Sequence, residues 1–229
     1  MERVKVVMGL IILAVMVKYL SAIDQVLQWG MLTRERFLAV WVVLFALAGC
    51  YLLGWLRFAG VNPEDPVGAG RMLVGAFFLI FAVALLPGMF GARLGELDAY
   101  VPAAERAEDS AWLKNQYRLA LERARQENRR VLVAFTGYAC TNCHWMKANM
   151  FTRPEVAAAL KEFILVELYT DGTDQASAAN QRLQESKFST IALPYYAVLD
   201  SDERVLATFP GLTRDPAQFL RLLRAGSGP

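Results

Sequence analysis

Residues 131–150 read VLVAFTGYACTNCHWMKANM, and the fold turns on this stretch. VLVAF (131–135) is uncharged and rich in β-branched and aromatic side chains, as a short buried strand requires. It runs through Gly137 into Cys140 and Cys143, two residues apart, with His144 directly behind. The spacing that follows predicts a helix from about Thr141 to Met150. Three chemistries use such a string. A Cys-x-x-Cys pair can exchange a disulfide, and Cys-x-x-Cys-His can anchor a c-type haem. Two thiolates, the His144 imidazole and the thioethers of Met146 and Met150 suit copper(I).

Disulfide exchange fits best. The first turn of a helix presents unpaired N–H groups and a partial positive charge, which favour a thiolate. In that geometry Cys140 is exposed and attacks, and Cys143, one turn further in, resolves the mixed disulfide. An electron carrier or metallochaperone holding haem or copper through Cys140, Cys143 and His144 is the alternative. A haem iron needs a second axial ligand. His144 is the only histidine, and Met146 and Met150 lie too close to it in sequence to reach the opposite face. The two methionines fall at helix spacing and read as core. No cofactor and no metal are expected.

Outward from the motif, the pattern alternates. Trp112 to Asn128 reads as an amphipathic helix, with Leu113, Tyr117, Leu119, Leu121 and Ala124 set among Lys114, Arg118, Glu122 and Arg125. Pro154 suits the first turn of a helix over EVAAALKEF. FILVELY (163–169) reads as a second buried strand, and a helical stretch spans about Ala176 to Glu185. YYAVLD and RVLATF, joined by Ser201, Asp202 and Glu203, read as a hairpin, and Pro216 to Leu223 closes with a helix. Pro194 stands before the hairpin. A cis Leu193–Pro194 bond there sets an open backbone edge beside Cys140 that a substrate strand can pair with. Strands alternating with helices predict a sheet covered on its faces, an α/β domain over 111–229.

The N-terminal part is different in kind. Uncharged runs at 37–56 and 72–92 are each long enough to cross a bilayer, and a shorter one precedes them. That first run continues past Lys18 as a span over about 4–23, or forms a signal-peptide core. Arg36, Arg57, Arg71 and Arg93 bracket the longer runs and suit the headgroup zone. Pro63, Glu64, Asp65 and Pro66 mark a loop. Residues 1–93 are therefore expected to form about three transmembrane helices, and 94–110 a polar linker. The lone Cys50 reads as a small hydrophobe in mid-membrane. A net charge of +2 without a basic run gives no ground for a nucleic-acid partner.

VLVAFTGYACTNCHWMKANMFTRPEV, LVELYTDG and ALPYYAVLDSDERVL together resemble the C-terminal thioredoxin-like domain of the DsbD family of thiol:disulfide interchange proteins. The apolar runs resemble the family's last membrane spans. The resemblance implies a protein-disulfide reductase of the bacterial inner membrane, multi-pass, with its thioredoxin-like domain in the periplasm. It makes Cys140 and Cys143 the relay pair. The electron donor would be membrane-embedded cysteines of a longer or separate transporter domain. The acceptors would be periplasmic thiol-disulfide proteins, in routes such as cytochrome c biogenesis. Leu193 and Pro194 would shape the substrate edge; Tyr138 and Trp145 read equally as part of the contact surface and as aromatic packing.

The chain departs from the family in having about three spans and one cysteine within them, so it is expected to be a fragment or half of a split system. Where thioredoxin-like domains often carry a buried acid, this chain has Ala134. Where relatives carry an acid four residues after the second cysteine, it has Lys147. Fewer carboxylates and one more cation predict stabilised thiolates and a more oxidising pair. Glu167 is the substitute proton acceptor, and His144 and Lys147 tune the thiols.

Overall fold

The computed structural model describes residues 2–56, 67–103 and 111–225. Arg57 and the Pro63–Pro66 loop lie outside the described residues. The chain divides into two compact units, one holding the three N-terminal helices and one taking in Gly95 onward.

In the N-terminal unit α1 (Glu2–Leu27), α2 (Arg34–Leu52) and α3 (Ala69–Met89) are each long and apolar enough to cross a membrane, which indicates a membrane protein. Helix α1 continues unbroken through Lys18, as the longer reading of the first run requires. Exposed Phe77 and Ile80 on α3 present apolar side chains outward, as a lipid-facing surface does. Helices α2 and α3 pack where two glycines meet. A Cβ on Gly49 would stand 2.7 Å from Leu79 Cγ and 2.9 Å from the Gly75 carbonyl. Small residues let membrane helices approach this closely.

Two arginines tie the helix ends. Arg71, near the start of α3, donates to the Leu52 carbonyl at the end of α2 (2.9 Å). Buried Arg34, at the start of α2, donates to the carbonyls of Gly88 (3.2 Å) and Ala92 (3.4 Å) at the end of α3. Each guanidinium bonds a carbonyl in the last turn of a neighbouring helix and complements its negative pole. Arg71 therefore serves the neighbouring helix as well as flanking a span.

Helix α2 ends four residues before the expected 56. Gly54 takes φ +80, Trp55 N–H donates to the Cys50 carbonyl (2.9 Å) and Gly54 N–H to the Tyr51 carbonyl (3.1 Å). This is a Schellman stop, and glycine supplies its left-handed residue. Cys50 consequently sits in the last turn of α2 rather than mid-span, at the end of the helix away from Arg34.

The C-terminal unit is an α/β thioredoxin-like domain. Its elements are β1 (Trp112–Lys114), α4 (Tyr117–Glu127), β2 (Arg130–Thr136), α5 (Thr141–Trp145), α6 (Pro154–Leu160), β3 (Phe163–Tyr169), α7 (Gln175–Phe188), β4 (Tyr195–Leu199), β5 (Val205–Pro210) and α8 (Pro216–Ala225). A π-helical turn, Met146–Met150, continues α5. The sheet order is β1-β3-β2-β4-β5, with β1, β3 and β2 parallel and β4 and β5 joined antiparallel.

Alternate side chains of the strands serve opposite faces. Leu132, Leu165, Tyr196 and Val198 pack with Met146 and Met150 of the π turn, Val156 of α6 and Phe219 of α8. Val131, Val133, Val166 and Ala197 pack with Ala120, Leu121 and Ala124 of α4. Burial on both faces is why β2 and β3 read as near-continuous apolar runs.

Two expectations are corrected. Trp112–Lys114 does not begin the helix but forms edge strand β1, pairing with Leu165–Glu167 of β3. Asn115, at φ +56, breaks the chain between strand and helix, a conformation asparagine tolerates better than most residues. The presumed linker over 94–110 begins as folded structure. Gly95–Ala99 is a 3₁₀ turn, and Ala99 joins the core beside Trp145 while Val101 is buried. The remainder of that stretch, residues 104–110, lies outside the described residues.

Candidate functional site

Strand β2 ends at Thr136, and four residues later Cys140 forms the N-cap of α5. Cys140 and Cys143 are joined in a disulfide, their Cα atoms 5.3 Å apart. The Cys143 N–H donates to the Cys140 sulfur at 3.2 Å. Cys140 is partly exposed and Cys143 is buried. An attacking sulfur must be reached and a resolving sulfur must be shielded, so the two differ in the sense that exchange needs.

Behind Cys143 lies a cavity of about 40 Å³, bordered by Ala134, His144, Lys147, Glu167 and Tyr196. Its polar lining is set by register. Glu167 on β3 stands opposite Ala134 on β2, so its carboxylate shares the sheet face of the missing acid. Lys147 donates to Glu167 Oε2 at 3.1 Å. The π turn accommodates this: Phe151 N–H reaches back five residues to the Met146 carbonyl (3.0 Å), with Lys147 inside the widened turn. A space of this size admits one or two waters.

The expected free cation beside the thiols is therefore paired with a carboxylate. The premise that charge here favours thiolates does not hold for Lys147. A second carboxylate stands beside the motif. Asp171, just past the end of β3, accepts from Tyr138 N–H (2.7 Å) and Ala139 N–H (3.0 Å). The sequence reading missed it. Asp-Gly after a strand signals only a turn, and the contact spans more than thirty residues.

The remaining residues fall as follows. Met146 and Met150 are fully buried in the core, which removes their thioethers from any site at Cys140. Among the described residues, no group of three or more His, Cys, Asp or Glu side chains gathers as metal ligands would. His144 is half-buried on the cavity wall. The Tyr138 ring is buried against Tyr169 (centroids 4.0 Å apart), with the Lys114 ammonium over both rings. Burial pushes its phenol above the ordinary tyrosine value. Trp145 is buried, and its indole N–H donates to Glu96 (2.9 Å), which also takes Arg214 (3.0 Å). The Leu193–Pro194 bond is cis. The Pro194 carbonyl accepts from Gly211 N–H (2.8 Å), which closes part of the edge expected to be open. Ile191 and Leu212 stand exposed on either side in sequence, 63% and 36% accessible, where most apolar side chains of this unit are buried.

Residues 111–201 match the thioredoxin-like family described as Thioredoxin-like. No curated protein sequence matches the chain. Among solved structures, a thioredoxin from Thermus thermophilus shares 24% identity over 49% of this chain and 83% of its own, with a TM-score of 0.42. A DsbH oxidoreductase shares 18% over 53% and 90%, with a TM-score of 0.42. The oxidised C-terminal domain of DsbD from Neisseria meningitidis shares 19% over 48% and 92%, with a TM-score of 0.39.

Proposed function

We propose that this protein is a membrane-anchored thiol-disulfide oxidoreductase that passes reducing equivalents to protein disulfides on the periplasmic side of the bacterial inner membrane. The observation that carries the reading is the Cys140–Cys143 disulfide at the start of α5, with one sulfur partly exposed and the other buried.

The reaction starts from the reduced pair. The Cys140 thiolate attacks one sulfur of a client disulfide. A Cys140–client bond forms and the client's second sulfur leaves as a thiolate. The Cys143 thiol then loses its proton across the cavity to Glu167 and attacks the Cys140 sulfur. The Cys140–Cys143 bond forms and the client leaves with both sulfurs reduced. Two electrons have moved to the client, and its thiolates take up protons from solvent. Leu193, Pro194 and exposed Ile191 and Leu212 border the surface that the client's extended backbone would lie along. The pair is reset by a dithiol of a longer or separate membrane transporter, the class of donor that the resemblance to the DsbD family implies.

The test uses the full chain in detergent. Cys143→Ser, incubated with a periplasmic extract, accumulates mixed disulfides through Cys140, and Cys140→Ser accumulates none. Equilibration of wild type with glutathione fixes direction: a midpoint of roughly −200 to −270 mV supports a reductase, and one near about −120 mV supports an oxidant. Absence of a reversible Cys140–Cys143 disulfide refutes the exchange reading.

A further inference from the structure

We infer that Asp171 is a positioning residue for the exchange reaction, fixing the backbone that leads into Cys140 and keeping the Cys140 sulfur from ionising too readily. The inference rests on the exchange reading and concerns how this chain sets the reactivity of its attacking thiol.

Three observations converge on Asp171. Its carboxylate takes both amides immediately before Cys140, at 2.7 and 3.0 Å. Hydrogen bonds to an ionised acceptor are about twice as strong as neutral ones, so the approach to Cys140 is held from β3 and not merely by its own loop. The position is reserved: a Cβ on Gly137 would stand 2.5 Å from Asp171 Oδ2 and 3.1 Å from Cys140 Cβ. Gly137 is what lets the carboxylate and the cysteine share this space. The segment is aligned by the sheet, since Thr170 N–H donates to the Thr136 carbonyl (3.1 Å) and carries the β2–β3 pairing to the edge of the site.

The electrical consequence follows from the same geometry. The amides of Tyr138 and Ala139 are spent on Asp171, and the Cys143 N–H reaches the Cys140 sulfur. A single point beside Gly137 lies 2.5 Å from Asp171 Oδ2 and 3.1 Å from Cys140 Cβ, so the carboxylate and the base of the Cys140 side chain stand within about 6 Å of each other, the range over which a like charge disfavours ionisation. Asp171 therefore opposes the helix N-terminus at Cys140. Other charged groups nearby are Lys114 over the Tyr138 and Tyr169 rings, Asp174 at the start of α7, and the Lys147–Glu167 pair across the cavity with His144 on its wall. None of them takes these two amides.

The test compares Asp171→Asn and Asp171→Ala with wild type, as full chains in detergent, fully reduced. Iodoacetamide labelling across pH, assigned to Cys140 by peptide fragmentation, reads the midpoint at which its thiolate forms. Asn keeps an acceptor and removes the charge, and the midpoint falls by about one pH unit. Ala removes the acceptors as well, and the Tyr138 and Ala139 amides exchange hydrogen about tenfold faster than in wild type, a loss of roughly one hydrogen bond's worth of protection. An unmoved midpoint in the Asn variant, or unchanged exchange at both amides in the Ala variant, overturns the inference. A wild type that forms no reversible disulfide overturns the exchange reading instead, and the labelling and exchange experiments still report on Asp171.

Discussion

Replacing Glu167 by Gln separates its pairing with Lys147 from its proposed role as the proton acceptor for Cys143. The ion pair lies at 3.1 Å with side-chain exposures of 26% for Lys147 and 11% for Glu167. Two unit charges at about 4 Å attract by ~4 kcal/mol at an effective dielectric of 20. Desolvation offsets much of that. A fully exposed pair nets about 0–1 kcal/mol, while breaking a fully buried one costs about 3–5. Lys147 keeps a quarter of its side chain in solvent and can rehydrate when abandoned. The expected stability loss for Glu167→Gln is therefore about 1–2 kcal/mol, which leaves the domain folded. The kinetic loss is larger. A positioned general base contributes about 10²–10⁴ in rate, and the cavity at Cys143 offers no second carboxylate among its described lining residues. Formation of the Cys140–client bond stays at the wild-type rate, and its resolution slows by about 10²-fold. Acid-quenched single-turnover mixing of reduced full-length protein with a small disulfide substrate, resolved by mass, reads both steps. A Gln variant that resolves its mixed disulfide at the wild-type rate refutes Glu167 as the acceptor. One that loses both steps equally shows a structural role only.

Two further outcomes test the frame around the site. Glu203 accepts from Tyr117 (2.7 Å) and Lys187 (3.1 Å), which together hold its carboxyl below the ordinary 4.5. A depressed folded-state value contributes stability that is full above pH 4.5 and lost as pH falls below it. Chemical denaturation of wild type should therefore weaken more steeply than that of Glu203→Gln as pH drops through this range; parallel curves would contradict the assigned pairing. In the helical unit, Gly49→Val pushes a side chain into Leu79 and the Gly75 carbonyl. Overpacking of this kind costs about 1–3 kcal/mol, so the variant should lose resistance to SDS unfolding, while Gly68→Val, which meets nothing within 4 Å, should not.

What could be read from the sequence follows burial. FILVELY is buried throughout except at its last residue, so its apolar run carried the strand plainly. Its one charge, Glu167, marked the cavity. Edge strand β1 was misread because Leu113, Tyr117, Leu121 and Ala124 do share one core cluster, as a single helical face would. One strand residue, Leu113, and three helix residues, Tyr117, Leu121 and Ala124, project to the same side, and hydrophobic spacing cannot tell them apart. Asn115 was the discriminating signal. The folded start of the supposed linker was hidden because its buried residues, Ala99 and Val101, are few and set among Glu96, Asp98 and Tyr100. Asp98 is itself buried, against the usual habit of charged residues.

The charge balance at Cys140 was the hardest part to read, for a different reason. Counting residues in the motif found one carboxylate missing at Ala134 and one cation gained at Lys147. In space, Glu167 on the neighbouring strand neutralises that cation, and Asp171 occupies the amides before the cysteine. Both acids lie on or just beyond β3, a strand that follows the motif by some twenty residues and pairs back beside it. Parallel pairing brings the end of β3 alongside the end of β2, so charged groups from the partner strand stand beside the motif together with its own Lys147. The oxidising potential inferred from local composition thus loses its electrostatic ground, and the wild-type midpoint against glutathione should fall on the reducing side, nearer to roughly −270 mV than to −120 mV.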